Sequence, residues 1–212
     1  MSTRVYKAGG KRAARKKVVR PRNAVATREA ILQSALAAFT RAGYEGVGVR
    51  EIARDAGVTA MLVNRYFGSK EALFEAAVEV AFSEGSLLSG GVGALGLDTA
   101  RSMLAKTDPD ACPIDPLMLM LRSAPNPRAA AILREHIEKH FERPLAALLP
   151  GADPDVRAAL YLSAIAGFQL MRKVIGSTAL RDADGPGLAA RLAALFESLT
   201  APTGDVGRPP LR

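Results

Sequence analysis

Between Gly48 and Lys70 the sequence holds two short helical patterns with almost nothing between them, and this spacing constrains the fold more than any other feature of the chain. In the first, Val49, Ile52, Ala53 and Ala56 share one face while Arg50, Glu51 and Arg54 stay outside. Gly57 supplies the stop, because a residue that tolerates positive φ lets the chain reverse at once. Thr59 is placed to cap the second helix, which turns Val63 and Phe67 inward, sets Tyr66 at their edge, and leaves Met61, Asn64 and Arg65 outside. A two-helix corner of this size with a polar outer face is the layout by which small folds enter a DNA groove.

The neighbouring patterns extend the corner. From Thr27, read as an N-cap, Ile31, Leu32, Ala35, Leu36 and Phe39 recur at three- and four-residue steps, which predicts a helix ending near Gly43. After Gly68, Ser69 opens a helix with Leu73, Phe74, Ala77, Val78 and Ala81 on its inner side. Charge then separates an arm from a body. Ten of the 29 basic side chains stand in residues 1 to 28, before the first acid, Glu29, so the remainder carries 19 positive against 21 negative charges. Such an arm is too rich in Lys, Arg and Gly to fold alone and is expected to be disordered over residues 1–22. On a duplex it would release counterions, steepening the salt dependence by about 0.9 log units per neutralised phosphate.

Taken together, the residues Ile31, Ala35, Phe39, Gly43-Tyr44, Ile52-Ala53, Ala56-Gly57-Val58-Thr59, Tyr66-Phe67, Ser69-Lys70 and Leu73-Phe74 resemble the DNA-binding region of the tetracycline-repressor (TetR) family of transcriptional regulators. The sequence departs from that pattern at Val47, Gly48, Met61 and Asn64. The resemblance implies an all-α fold: an N-terminal three-helix helix-turn-helix domain, residues 23–68, and a helical ligand-binding and dimerisation domain, residues 69–200, before a flexible tail, 201–212. It also implies that the helix from Thr59 enters the major groove, with Thr59, Ala60, Met61, Leu62, Asn64, Arg65 and, from the preceding helix, Arg50 near base edges. Arginine suits guanine, asparagine suits adenine, and small or apolar side chains suit a thymine methyl. Thr27, Arg28, Tyr44, Tyr66 and Lys70 are then the groups expected to hold phosphates.

In the larger C-terminal part, helices are expected near 98–106, 116–123, 127–149, 155–175 and 187–199, with Pro144 kinking the third and Asp153-Pro154 capping the fourth. A glycine-rich loop is expected from Gly85 to Gly96. Ala159, Ser163, Ala166 and Gly167 permit close approach beside Leu160, Ile165, Phe168 and Met171, and Leu188, Leu192, Leu195 and Leu199 form a stripe on the last helix. By resemblance these two helices pair with a second copy into a homodimer. The same resemblance places a pocket for a small apolar or amphipathic inducer here, for which Leu117, Met118, Met120, Leu121, Phe141, Tyr161, Phe168 and Met171 are candidate lining.

Other motifs point nowhere firm. Gly91-Val92-Gly93-Ala94-Leu95-Gly96 matches a dinucleotide fingerprint as a string but lacks the flanking strands. His136 and His140 share a helix face that reads as solvated, without the partners a metal site needs. No nucleophile-and-base arrangement stands out, so the expectation is a non-enzyme with no cofactor and no resident metal. One cysteine, Cys112, fits a reducing cytoplasm, and no stretch is long and apolar enough to span a membrane. The reading is a repressor that an inducer releases from a palindromic operator. Its rivals are a non-specific architectural DNA binder driven by the arm and a basic protein that docks on anionic membrane.

Overall fold

The computed structural model describes residues 21–83, 95–105 and 115–202. Within them every element is helical: α1 (Pro21–Ala42), α2 (Val49–Asp55), α3 (Ala60–Phe67), α4 (Lys70–Ser83), α5 (Leu95–Ala105), α6 (Pro116–Ser123), α7 (Pro127–Ile137), α8 (Arg143–Ala146), α9 (Pro154–Gln169), α10 (Thr178–Arg181) and α11 (Gly185–Thr200). A π turn, Glu138–Glu142, joins α7 to α8, and another, Leu170–Val174, prolongs α9. The all-α fold expected from the sequence is the fold observed.

Several boundaries differ from the sequence reading. Helix α1 starts at Pro21, so Thr27 lies inside the helix and is no N-cap. Proline needs no amide partner at the first helical position, and nothing between Asn23 and Ala26 stops the helix. Residues 21 and 22, assigned to the arm, are thus helical; residues 1–20 lie outside the described set, as do most of the glycine-rich loop and the tail beyond 202. Leu95 and Gly96 belong to α5 rather than to that loop. A Cβ on Gly96 would lie 2.9 Å from Glu197 Cγ and 3.1 Å from the Ala193 carbonyl oxygen, so glycine lets α5 press against α11.

The expected kink at Pro144 takes the form of the preceding π turn. A proline there cannot donate to the carbonyl four residues earlier and crowds it, and the wider turn relieves both problems. Asp153 does precede α9, but at φ 51°, and its carboxylate makes no capping bond. Arg157 organises this end instead. Buried, it donates to the carbonyls of Pro150 (2.6 Å), Ala152 (3.4 Å), Leu199 (3.0 Å) and Ala201 (2.6 Å), tying α9 to the end of α11.

Two hydrophobic clusters result. One runs from Ile31 and Phe39 of α1 through Ile52, Val63, Leu73 and Phe74 to Leu119, Ala129 and Leu133 of α6 and α7. Its centre is an aromatic group in which Phe39 and Tyr44 meet Phe74 edge-on at 5.0 and 5.1 Å; each such contact adds about 0.5–1.5 kcal/mol beyond area burial. The other gathers Leu95, Met103, Leu145, Tyr161, Leu192 and Phe196. Leu188 and Leu192, expected to face a second copy, lie in this cluster against their own protomer, because α11 packs on α5; Leu195 alone of that stripe is well exposed. On α9, Val156, Leu160, Ser163 and Gly167 remain as an exposed stripe.

One expectation is overturned outright. His136 and His140 are not on a solvated face: His136 is buried, His140 is nearly so, and both turn onto Glu79 of α4.

Candidate nucleic-acid interface

The corner forms as its residues dictate. Gly57 adopts φ 67°, donates to the Arg54 carbonyl at 3.0 Å, and lets Val58 N–H return to the Ala53 carbonyl at 2.8 Å. Thr59 Oγ1 accepts from the Leu62 amide at 3.4 Å, a long cap that nonetheless fixes where α3 begins. Val63, 1% exposed, anchors α3 in the first cluster, and Arg41 of α1 reaches Glu51 of α2 at 2.8 Å. Burying one valine this completely contributes about 1.5–3 kcal/mol, enough to hold an eight-residue helix that has little stability alone.

With that inner side fixed, the outer side is fixed too. Met61 is 81% exposed and belongs to neither hydrophobic cluster. Thr59, Asn64, Arg65 and Arg50 are exposed beside it, and Ala60 and Leu62 are half-buried at the flanks. The structure therefore brings the residues expected near base edges onto one exposed surface.

The expected phosphate-holding residues divide. Arg28 is exposed with its guanidinium 4.8 Å from the Phe67 ring centroid, Thr27 and Tyr66 are half-buried, and Lys70 stands at the first turn of α4, where amides have no intrahelical partner. Ser69 Oγ takes the Ala72 amide at 3.0 Å and so defines that turn. Tyr44 sits apart from the exposed set: its ring is buried, Lys70 Nζ lies 4.5 Å above it, and its hydroxyl faces Glu71. Burial raises the Tyr44 pKa above the usual phenol range, and the Glu71 charge adds to this. The Glu71 carboxyl is held below its ordinary range, first by its own backbone amide and then by Tyr44 and Arg128. In this geometry Tyr44 supports Lys70 through its ring face.

Sequence reasoning missed what holds the head to the rest. Arg122 of α6 donates through Nη1 to the Thr40 carbonyl at 2.8 Å and to that of Arg41, and Ser123 Oγ accepts the Tyr44 amide at 3.0 Å. Gly43, at φ 72°, leaves room for this: a Cβ there would lie 2.2 Å from the Arg122 carbonyl oxygen. Asn126 reaches Glu45, and Arg128 reaches Glu71 at 3.1 Å. Only the glycine at the end of α1 could have signalled so close an approach.

The candidate inducer lining is not gathered in one place. Met120 and Phe141 pack on the first cluster, Tyr161 and Phe168 belong with the second, and Met171 is exposed. Leu117 is buried, while Met118 and Leu121 are half-buried. Tyr161 is a core residue whose hydroxyl donates to Leu95 O at 2.9 Å and lies 2.7 Å from Thr99 Oγ1, and burial raises its pKa.

Comparison with known proteins decides the family. Residues 31–77 match the family model of bacterial regulatory proteins of the tetR family, and residues 94–199, half of the chain, match that of the tetracyclin repressor-like C-terminal domain. The chain belongs to the TetR family. A TetR-family regulator from Streptomyces coelicolor A3 is 29% identical and superposes with a TM-score of 0.60, over 91% of this chain and 99% of that one. NemR of Escherichia coli in its reduced form, 17% identical, shares the fold with a TM-score of 0.62, over 84% and 98% of the two chains. A TetR-family regulator from Agrobacterium tumefaciens, 18% identical, does so with a TM-score of 0.57, over 84% and 100%. No curated protein matches the chain. As a TetR-family chain it is a DNA-binding transcriptional regulator, and none of its described helices is long and apolar enough to cross a membrane.

Proposed function

We propose that this TetR-family chain is a homodimeric repressor that reads a near-palindromic operator through the outer face of α3. The observation that carries the reading is Met61: 81% exposed, on a helix whose other side is locked by Val63, and flanked by Asn64 and Arg65. Arg50 and Arg65 are assigned to guanine, Asn64 to adenine, and Ala60, Met61 and Leu62 to thymine methyls. Thr59 joins them at the helix start, while Thr27, Arg28, Tyr66 and Lys70 position the phosphates. Tyr44 is assigned the indirect role of supporting Lys70.

The exposed stripe of α9, Val156, Leu160, Ser163 and Gly167, together with Leu195 of α11, is the proposed dimer face. A two-fold dimer sets two recognition helices about 34–36 Å apart, one DNA turn. A small apolar or amphipathic molecule bound in the C-terminal domain would release the operator by favouring a dimer whose heads are wrongly spaced, since only differential affinity shifts such an equilibrium. Cytoplasmic action follows from this role.

Selection of duplexes from a random pool, followed by mobility shift at fixed salt, tests the proposal. The expected product is an inverted repeat with half-sites one turn apart or a whole number of turns. Recovery of no sequence above the non-specific background would favour the architectural alternative driven by the arm.

A further inference from the structure

Near the middle of the fold, three side chains from two helices converge on a single point. Glu79 of α4 sends Oε2 toward α7 and the π turn that follows it, where His136 Nδ1 approaches it at 3.1 Å and His140 Nε2 at 2.9 Å. The three donor atoms all lie within 4.8 Å of one another. The His136 side chain is only 6% exposed, and its Nδ1 has no hydrogen-bond partner, because its approach to the carboxylate is out of line. A buried ring nitrogen left in this state normally costs stability or marks a function. The rings of His136 and His140 are nearly parallel, 14° apart with centroids at 5.7 Å, and His140 lies within the π turn, a local widening that recurs at functional sites. Glu79, His136, Glu75 and Glu135 border an open groove of about 280 Å³, so the cluster is reachable from solvent.

We propose that Glu79, His136 and His140 form a binding site for a divalent first-row transition ion of the zinc class, with a fourth position open to the groove. Two imidazoles and one carboxylate are the ligand set such ions take when a coordination position stays free. The geometry is close to what an ion needs. Bonds of about 2.0–2.1 Å in a tetrahedral site set donor atoms about 3.4 Å apart, within about 0.5 Å of both nitrogen-to-Glu79 distances, while the two ring nitrogens lie within 4.8 Å of each other and close on an ion by side-chain rotation. Lys139 Nζ, 3.0 Å from the same Oε2, is a cation already paired with this carboxylate, and its side chain is 57% exposed, free to swing out when an ion enters. A water from the groove completes the set. The inference does not rest on the DNA-binding reading, since ion binding is measured without DNA.

The test uses the full chain, untagged and stripped with a chelator, with Cys112→Ser removing its only thiol. Zn²⁺ titrated in a calorimeter should bind one ion per chain and raise the melting temperature, and Co²⁺ should give visible absorption bands. Glu79→Gln and His140→Ala should each weaken binding by more than about 100-fold, since outer partners of metal ligands alone account for 10–100-fold, and both should lose the Co²⁺ bands. Lys139→Ala should retain or tighten binding, because it removes only the competing ammonium. Glu79 borders solvent and glutamine keeps its size, so lost binding in that variant is not lost folding. Absence of one-per-chain binding in the Cys112→Ser protein overturns the proposal. So does wild-type affinity in Glu79→Gln and His140→Ala, or loss of binding in Lys139→Ala.

Discussion

Replacing Arg65 by alanine separates what α3 does on DNA from what it does for the fold. Arg65 is exposed and makes no hydrogen bond, ion pair or ring contact among the described residues, so its removal should change folding stability by no more than about 0.5 kcal/mol. On DNA, one bidentate arginine–guanine pair provides about 1–3 kcal/mol of discrimination, and a two-fold dimer loses it twice, so about 2–6 kcal/mol is at stake. At about 1.4 kcal/mol per factor of ten, the operator affinity should fall at least about 30-fold. Fluorescence anisotropy at one fixed salt concentration, on the selected operator and a scrambled duplex, gives the answer. A specific reader loses affinity for the operator and little for the scrambled sequence. If Arg65 only touched phosphate, both affinities would fall alike. Equal losses on the two duplexes would refute the assignment of Arg65 to a base, and no loss on either would refute its contact with DNA altogether.

Thr59→Ala removes the cap of α3; the 3.4 Å bond puts the cost at the low end, about 0.5–1 kcal/mol in urea denaturation, with a larger relative loss of operator binding as α3 frays. Arg157→Met leaves four carbonyls without their buried donor and should destabilise the chain by about 4 kcal/mol, read as a lower denaturation midpoint. Glu79, held to about 2 by the hydrogen bonds of His140 and Lys139, is a carboxyl lowered in the folded state. Its contribution is therefore complete above the ordinary value of 4.5 and is lost as pH falls toward 2; at 42% side-chain exposure it amounts to about 1 kcal/mol, and Glu79→Gln should flatten the acid limb of stability against pH by that much. Leu160→Glu places a charge on the exposed stripe of α9 and should yield a monomer in sedimentation, with operator binding weakened through lost bivalency rather than lost contacts.

What the sequence made legible was local. The corner at Gly57, the cap at Thr59 and the inward Val63 depend on residues a few positions apart, so spacing and glycine chemistry were enough to place the exposed face of α3. Orientation across long sequence distance was not legible. The four-residue spacing of His136 and His140 puts them on one face but does not say which way that face turns; Glu79, contributed by α4, decides it. Nothing local in the sequence around Arg157 marks it for burial; it is buried because carbonyls from Pro150 and from Leu199 to Ala201 converge there. Leu188 and Leu192 on α11 have the expected period but pack within their own protomer, while Leu195 stays exposed, since periodicity cannot tell a neighbour in the same chain from one in another copy.

The path by which the C-terminal domain can influence the reading head is set by where the two clusters meet. The first cluster crosses from the head into α6 and α7, and Arg122, Ser123 and Arg128 bind the head's backbone and Glu71, so the head cannot tilt without carrying α6 and the start of α7 with it. Past α7 the second cluster takes over at Leu145, joined by Leu95 and Met103 of α5, and the proposed dimer face lies on α9 and α11 around it. Between them the chain runs through the π turn at Glu138–Glu142, where Phe141 still packs on the first cluster and Leu145 already belongs to the second. A rearrangement around α9 has three ways to the head: by rotating α7 across this turn, through α4, which Glu79 joins to the same turn by way of His140, or through α6, whose cap Asp115 pairs at 2.7 Å with Lys173 in the turn that prolongs α9. The first two pass within one helical turn of the Glu79–His140 contact, so a small displacement there changes the angle between the head and the dimer face directly.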